Sequence, residues 1–298
     1  KKKDQKALWF PHNNKLEMLW TVVPAAVLAV IIILGLRTWN EVTSASPKDA
    51  IQVELYSKQF DWTARYAGGD NTLGKTDYKL ILGNNELGLM TAATIDSSIL
   101  AMRQGAGGIL DIKKLLNNRD TVLTDSLTAV LRKDLGSKER LLRLLTQMKS
   151  THNASLDKHA YDDIIQKDTL YLCKDQAYEF SFRSKDVIHS AYFPHFRQQM
   201  NTVPGYGTRL KFTPNKTTAE MRTIKNLPTF NYVLMCNKIC GGAHYKMKLM
   251  VVVLEEAAYN AWMKGRAAKN FKATYFPAPA APAATVTPAK DTVKTAMN

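Results

Sequence analysis

The chain has 298 residues, enough for one or two domains with a sizeable core. Its 41 lysines and arginines exceed 26 aspartates and glutamates, a formal charge of +15. The basic residues are spread along the chain instead of forming one aromatic-interleaved patch, which argues against a nucleic-acid-binding module, and three cysteines with no paired framework argue against a disulfide scaffold.

Leu19 to Leu36 is an uncharged, apolar run of eighteen residues, predicted to form a membrane-spanning helix with Trp20 and Trp39 as interface anchors. A signal peptide would share the charged start Lys1-Lys2-Lys3, but the run is too long, Pro24 comes early and no Ala-x-Ala follows. Basic residues at 1–3, 6 and 15 assign the N-terminal side to the cytoplasm and the rest of the chain to the far side. Residues 1–45 are thus read as an anchor, and 46–265 as an extracytoplasmic domain. Glu17 stands two residues before the apolar run, where an ionisable group calls for a reason.

Ile51 to Tyr56 alternates apolar and polar residues, the pattern of a half-buried strand. Gln59-Phe60-Asp61-Trp62 follows, with two rings that core packing alone could explain. From about 83 to 167 the pattern becomes helical, as in Leu110–Leu116 and Leu135–Leu145, with Ser137 as the expected N-cap of the second helix. Strand signals return over Thr169–Phe182, then at Thr208–Phe212, Asn231–Met235 and Lys248–Leu254. Cys173 alternates with apolar neighbours and reads as a small buried hydrophobe. Residues 266–298 read as a basic and then Pro/Ala-rich tail, Pro277 to Pro282 being a linker composition.

The most informative stretch is Cys236 to Met247, which holds two cysteines, His244 and Met247 within twelve residues. Sulfur ligands with imidazole select copper, zinc or iron–sulfur over magnesium or calcium. Cys-x3-Cys-x3-His is close to structural zinc spacings, but zinc gives Met247 no role. Two thiolates could instead bridge two copper ions, which asks for a second histidine from elsewhere.

Cys-x-x-x-Cys-Gly-x-x-His-x-x-Met resembles the dinuclear copper (CuA) loop of subunit II of the haem–copper cytochrome c oxidases of the bacterial aa3 type. Two further segments match in order: Asp186-Val187-Ile188-His189-Ser190 with Val203-Pro204-Gly205, and Glu17 to Ala25, which resembles the start of the family's second transmembrane helix. The resemblance implies an N-terminal transmembrane helix plus an all-β cupredoxin-like Greek-key sandwich, here with a helical insertion over about 83–167. It also implies that an earlier helix, and so residues upstream of Lys1, is missing.

By the same resemblance Cys236 and Cys240 bridge two coppers, His189 and His244 bind one each, Met247 is an axial ligand and the Lys238 carbonyl is the other weak ligand. The family has Glu at position 238 and uses it for magnesium; a protonated lysine cannot ligate a metal, which puts the magnesium site in doubt. Phe60 stands where many members have the tryptophan that receives the electron, Trp62 matches the second tryptophan, and Glu17 lies at the mouth of a proton pathway. No Cys-x-x-Cys-His occurs, so no haem is expected on this chain. The implied partners are subunits I and III, the membrane and a c-type cytochrome donor, with no nucleic acid. The donor is expected to be acidic or neutral because this chain is basic, for example within a supercomplex with alternative complex III. The implied location is a bacterial inner membrane with the copper domain on the periplasmic side, and the implied activity is electron delivery for dioxygen reduction in subunit I. Three alternatives differ in what they require. A quinol oxidase subunit lacks the ligands, the copper domain of nitrous oxide reductase lacks the membrane helix, and a copper chaperone or zinc module needs no motif around Glu17 and Pro24.

Overall fold

The structure is a computed structural model that describes residue 6 and residues 11–82, 85–118 and 123–276. Helix α1 (Asn14–Thr43) is 30 residues long, about 45 Å at 1.5 Å per residue, enough to cross a hydrocarbon core of roughly 30 Å. It starts where Asn13 accepts a hydrogen bond from the Leu16 N–H, and Glu17 accepts in turn from the Asn13 N–H. Its apolar side chains are exposed along the whole length, and it is the one helix among the described residues long and apolar enough to span a membrane. Lys1, Lys2 and Lys3, on which the expected orientation rests, lie outside the described residues.

Beyond α1 the chain builds two five-stranded sheets. Strands β1 (Ile51–Lys58) and β2 (Asp61–Tyr66) come first. Helices α2 (Ala92–Gln104), α3 (Ile109–Asn117), α4 (Asp125–Thr151) and α5 (Asp157–Tyr161) intervene before β3 (Ile164–Lys167). The chain continues through β4 (Thr169–Cys173), β5 (Tyr178–Ser184), β6 (His189–Phe193), β7 (Gln198–Thr202) and β8 (Thr208–Phe212). It ends in α6 (Thr218–Ile224), β9 (Tyr232–Cys236), β10 (Lys248–Leu254), α7 (Glu256–Ala267) and α8 (Phe271–Tyr275). The sheets run β3-β2-β1-β5-β8 and β4-β10-β9-β6-β7. Their inner faces share one core, with Trp62, Phe180, Phe182, Phe193, Leu234 and Val251 fully buried. This is the cupredoxin-like sandwich with a helical insertion.

The alternation in β5 behaves as the sequence predicts: Tyr178, Phe180 and Phe182 are buried and Glu179 and Ser181 are not. In β1 it does not. Val53 to Ser57 are all buried, because the insertion and the C-terminal helix cover the outer face that the pattern assigns to solvent. Tyr56 packs there with Leu87, Leu89, Ala160 and Phe271. Phe271 therefore belongs to the folded body, which continues past residue 265 to Phe276, whereas Pro277–Pro282 lies outside the described residues.

Glu54, also on the covered face, is held by Arg65 at 2.7 Å and by Arg183. Burial alone would raise its carboxyl, but the two guanidiniums bring it down to about 2. Asp163 shares Arg65 at 2.6 Å, yet its second oxygen is buried without a partner, and burial pushes this carboxyl up to about 7.

Ile95 and Leu145 of the insertion form a separate small core with Leu80, just ahead of it. Two expectations change here. The last four residues of 83–167 form β3, which pairs antiparallel with β2 and so belongs to the sheet. The long helix begins twelve residues or so before Ser137: Thr124 caps it by accepting from the Leu127 N–H, and Ser137 lies inside, its hydroxyl donating to the Lys133 carbonyl.

Candidate metal centre

Strand β9 delivers Cys236 at its end, and β10 starts one residue after Met247, so the loop between them is anchored at both ends of one antiparallel pair. The Cys236 N–H donates to the Met247 carbonyl at 3.0 Å, closing the loop's base. Strand β6 lies against β9 with Ala191 opposite Cys236, which carries His189 to the same edge. Separate parts of the chain thus converge because of strand register alone.

The donors group into two halves. Cys236 Sγ lies 3.9 Å from His189 Nδ1 and 3.2 Å from the Lys238 carbonyl oxygen. Cys240 Sγ lies 3.6 Å from His244 Nδ1 and 3.8 Å from Met247 Sδ. The two sulfurs are 3.8 Å apart, far outside the length of a disulfide, roughly 2.05 Å. Each sulfur therefore has one imidazole nitrogen and one weak donor beside it. Burial, followed by the neighbouring Cys236 thiol, pushes the Cys240 thiol up to about 11.

The supporting shell is specific. His189 is fully buried, and its Nε2 lies 2.9 Å from the Asp186 carboxylate, which leaves Nδ1 facing the sulfurs. Although burial opposes it, hydrogen bonds from the Gln59 N–H, His189 and the Val187 N–H hold Asp186 below the usual carboxylate range. Gln59 Nε2 also donates to the Cys240 carbonyl at 2.5 Å. Gly241 adopts φ +140, and a Cβ there would come within 2.8 Å of the Gln59 amide nitrogen and of the Phe60 ring. Asp186 and Gln59 were visible in the sequence only as members of motifs; no pattern marked their contacts.

The other sequence-derived positions fall at different distances from the cluster. Trp62 is buried, its ring edge-on to His189 with centroids 6.1 Å apart and its Nε1 without a hydrogen-bond partner. Phe60 is half-buried against Gly241. Lys238 is exposed and meets the donors through its backbone carbonyl. Glu17 sits far along the chain, in the first turn of α1.

The donor set can be tested against the candidate metals. A closed structural zinc site uses four tight ligands, which would leave Met247 and the Lys238 carbonyl idle. Two soft ions sharing the central sulfurs use every donor, and thiolate with imidazole and thioether suits copper.

No family model matches the chain. It is 26% identical over 264 residues to the alternative cytochrome c oxidase subunit 2 of Bradyrhizobium diazoefficiens, covering 88% of this chain and 68% of that one. It is 24% identical to a probable cytochrome c oxidase subunit 2 of Streptomyces avermitilis, covering 90% of this chain and 64% of that one, so it spans about two thirds of these relatives' length. A solved structure, the periplasmic domain of subunit II of cytochrome oxidase of Bradyrhizobium japonicum, has TM-score 0.36 and 13% identity, covering 76% of this chain and 99% of that one. With the matching segments spread over nearly nine-tenths of its length, the chain is a relative of cytochrome c oxidase subunit 2.

Proposed function

We propose that this chain is the electron-accepting subunit of a haem–copper oxidase, holding a dinuclear copper centre through Cys236, Cys240, His189, His244, Met247 and the Lys238 carbonyl. The observation that carries the reading is the pairing of each sulfur with its own imidazole and its own weak donor. When bound, two copper ions sharing the thiolates would take up and release one electron with little change in ligand geometry. The residues of the chain supply the rest. The two strands fix Cys236 and Met247, Asp186 fixes the tautomer and orientation of His189, buried Trp62 packs edge-on to His189 and half-buried Phe60 packs against Gly241.

In this reading the electron comes from a c-type cytochrome domain and leaves to haem in subunit I, where dioxygen is reduced. Helix α1 anchors the chain in a bacterial inner membrane beside subunits I and III, with the copper domain on the periplasmic side. Glu17 lies at the cytoplasmic end, the place of a proton-pathway mouth. Phe60 stands in for the usual tryptophan, and the basic chain favours an acidic or neutral donor, such as one held in a supercomplex with alternative complex III. Lys238 leaves no carboxylate for a magnesium ion.

Metal analysis with optical and electron paramagnetic resonance spectra of the purified full chain tests the reading. Two coppers per chain with a mixed-valence signal are expected. A silent spectrum with one bound zinc would refute it.

A further inference from the structure

The two halves of the donor cluster are held in different ways. On the first, His189 is buried and its Nε2 is fixed by the Asp186 carboxylate. On the second, His244 is half-buried, and its Nδ1 lies beside Cys240 Sγ. Among the described residues no side chain or carbonyl orients the other nitrogen of that ring. The His244 ring is therefore placed through its backbone. Its N–H donates to the Gly241 carbonyl at 3.1 Å, across the tight turn that follows Cys240.

Gln59 meets both halves. Its backbone N–H donates to Asp186 Oδ2 at 2.7 Å, and its side-chain Nε2 donates to the Cys240 carbonyl at 2.5 Å. That carbonyl belongs to the peptide joining Cys240 to Gly241, so a rotation of this one peptide moves both Cys240 Sγ and the turn that carries His244. Gln59 itself lies at the surface, but the cysteine whose carbonyl it holds is buried. The loop is shaped to come this close: Gly241 at φ +140 leaves open the place where a Cβ would lie 2.8 Å from the Gln59 amide nitrogen. The platform is firm as well, because Gln59 sits in the two-residue turn between Lys58 and Asp61, which pair across β1 and β2.

We propose that Gln59 is the positioning residue of the Cys240–His244 half. By holding Asp186 through its N–H and Cys240 through its side chain, it also sets the spacing between the two halves. Its side-chain amide turns the positive end of a fixed dipole toward one side of the cluster, which favours the reduced over the oxidised centre. The redox part of this rests on the copper centre proposed above; the two hydrogen bonds and their hold on the loop do not.

Gln59→Met is the test, because methionine has a similar length and keeps the backbone N–H but carries no side-chain donor. In the metal-free full chain, alkylation of Cys240 followed by mass spectrometry should become about two- to tenfold faster, the range of one hydrogen bond's net contribution. Cys236, at the end of β9, should keep its rate. The copper-loaded variant should retain two coppers, with a lower reduction potential and an altered magnetic coupling to the His244 nitrogen. The coupling to His189 should stay as it is, since the Asp186 contact runs through the backbone of Gln59. An unchanged Cys240 rate, equal acceleration at both cysteines, or an unchanged potential and spectrum in the loaded variant would overturn the proposal. A wild-type chain that binds no copper pair would refute the function instead, and the alkylation comparison would still decide the role of Gln59.

Discussion

Gly241→Ala is the most exacting single change in the metal loop. At φ +140 a side chain is strained whatever space surrounds it, and such conformations cost about 1–3 kcal/mol for residues other than glycine. The new methyl would also meet the Gln59 amide nitrogen at 2.8 Å and the Phe60 ring at 2.8 and 2.9 Å. Overpacking of that kind typically costs a further ~1–3 kcal/mol. The loop can relieve both by moving away from Gln59, but this breaks the Gln59 hydrogen bond to the Cys240 carbonyl and shifts Cys240 from His244. The total is about 2–6 kcal/mol, appearing partly as lost stability and partly as an altered metal centre. Denaturant unfolding of the full chain in detergent, with the copper spectrum followed in parallel, measures both. Adding Phe60→Ala should recover part of the steric cost and none of the backbone cost, so the double variant is expected between the wild type and Gly241→Ala. A Gly241→Ala chain within ~0.5 kcal/mol of wild type and with an unchanged spectrum would refute the reasoning, since that is the range of a neutral surface substitution.

Cys236→Ser or Cys240→Ser is expected to abolish the dinuclear centre, because in the proposed centre each thiolate is shared by both metals, whereas Met247→Leu should retain both coppers with a shifted reduction potential; metal analysis and redox titration read the difference. Lys238→Glu should leave the copper spectrum nearly intact and raise magnesium or manganese occupancy in the assembled complex, since only the backbone of residue 238 faces the sulfurs. Asp163 holds its proton up to about pH 7 in the fold but only to about 4 when unfolded, so its contribution to stability is present at low pH and is lost as pH rises through this window. Three pH units at about 1.4 kcal/mol each set a ceiling of about 4 kcal/mol. Asp163→Asn should therefore flatten the pH dependence of unfolding between pH 4 and 7, and an unchanged slope would show that the carboxyl is ionised throughout.

Which features could be read from the sequence follows from whether they are local. The loop from Cys236 to Met247 is contiguous, so the motif that carries the family resemblance is complete within twelve residues, and β10 starts at the predicted Lys248, where an apolar β-branched run begins. His189 was identified by motif, but its position beside Cys236 depends on the β6–β9 register, which no local pattern encodes. The outer face of β1 was misread for a related reason. Glu54 and Tyr56 look solvent-facing until Arg65, 11 residues from Glu54, Arg183, 129 residues from it, and the insertion arrive to cover and neutralise them. The start of α4 at Thr124 is hard to read locally because its cap precedes a polar first turn, whereas Ser137 stands just before a run of leucines at helical spacing.

The covering of β1 also bears on the metal centre. Arg183 reaches Glu54 on β1 and the Leu87 carbonyl in the segment leading to α2, and it stands at the penultimate position of β5. Three residues further on, Asp186 accepts from Gln59, which follows β1, and from His189. The same two strands that carry the buried ion network thus end in the residues that orient the histidine. Breaking a buried pair by removing one partner leaves an uncompensated charge and typically costs about 3–5 kcal/mol. The insertion packs on the outer face of β1, the strand that leads into Gln59, and Gln59 in turn holds the Cys240 carbonyl and the Asp186 carboxylate.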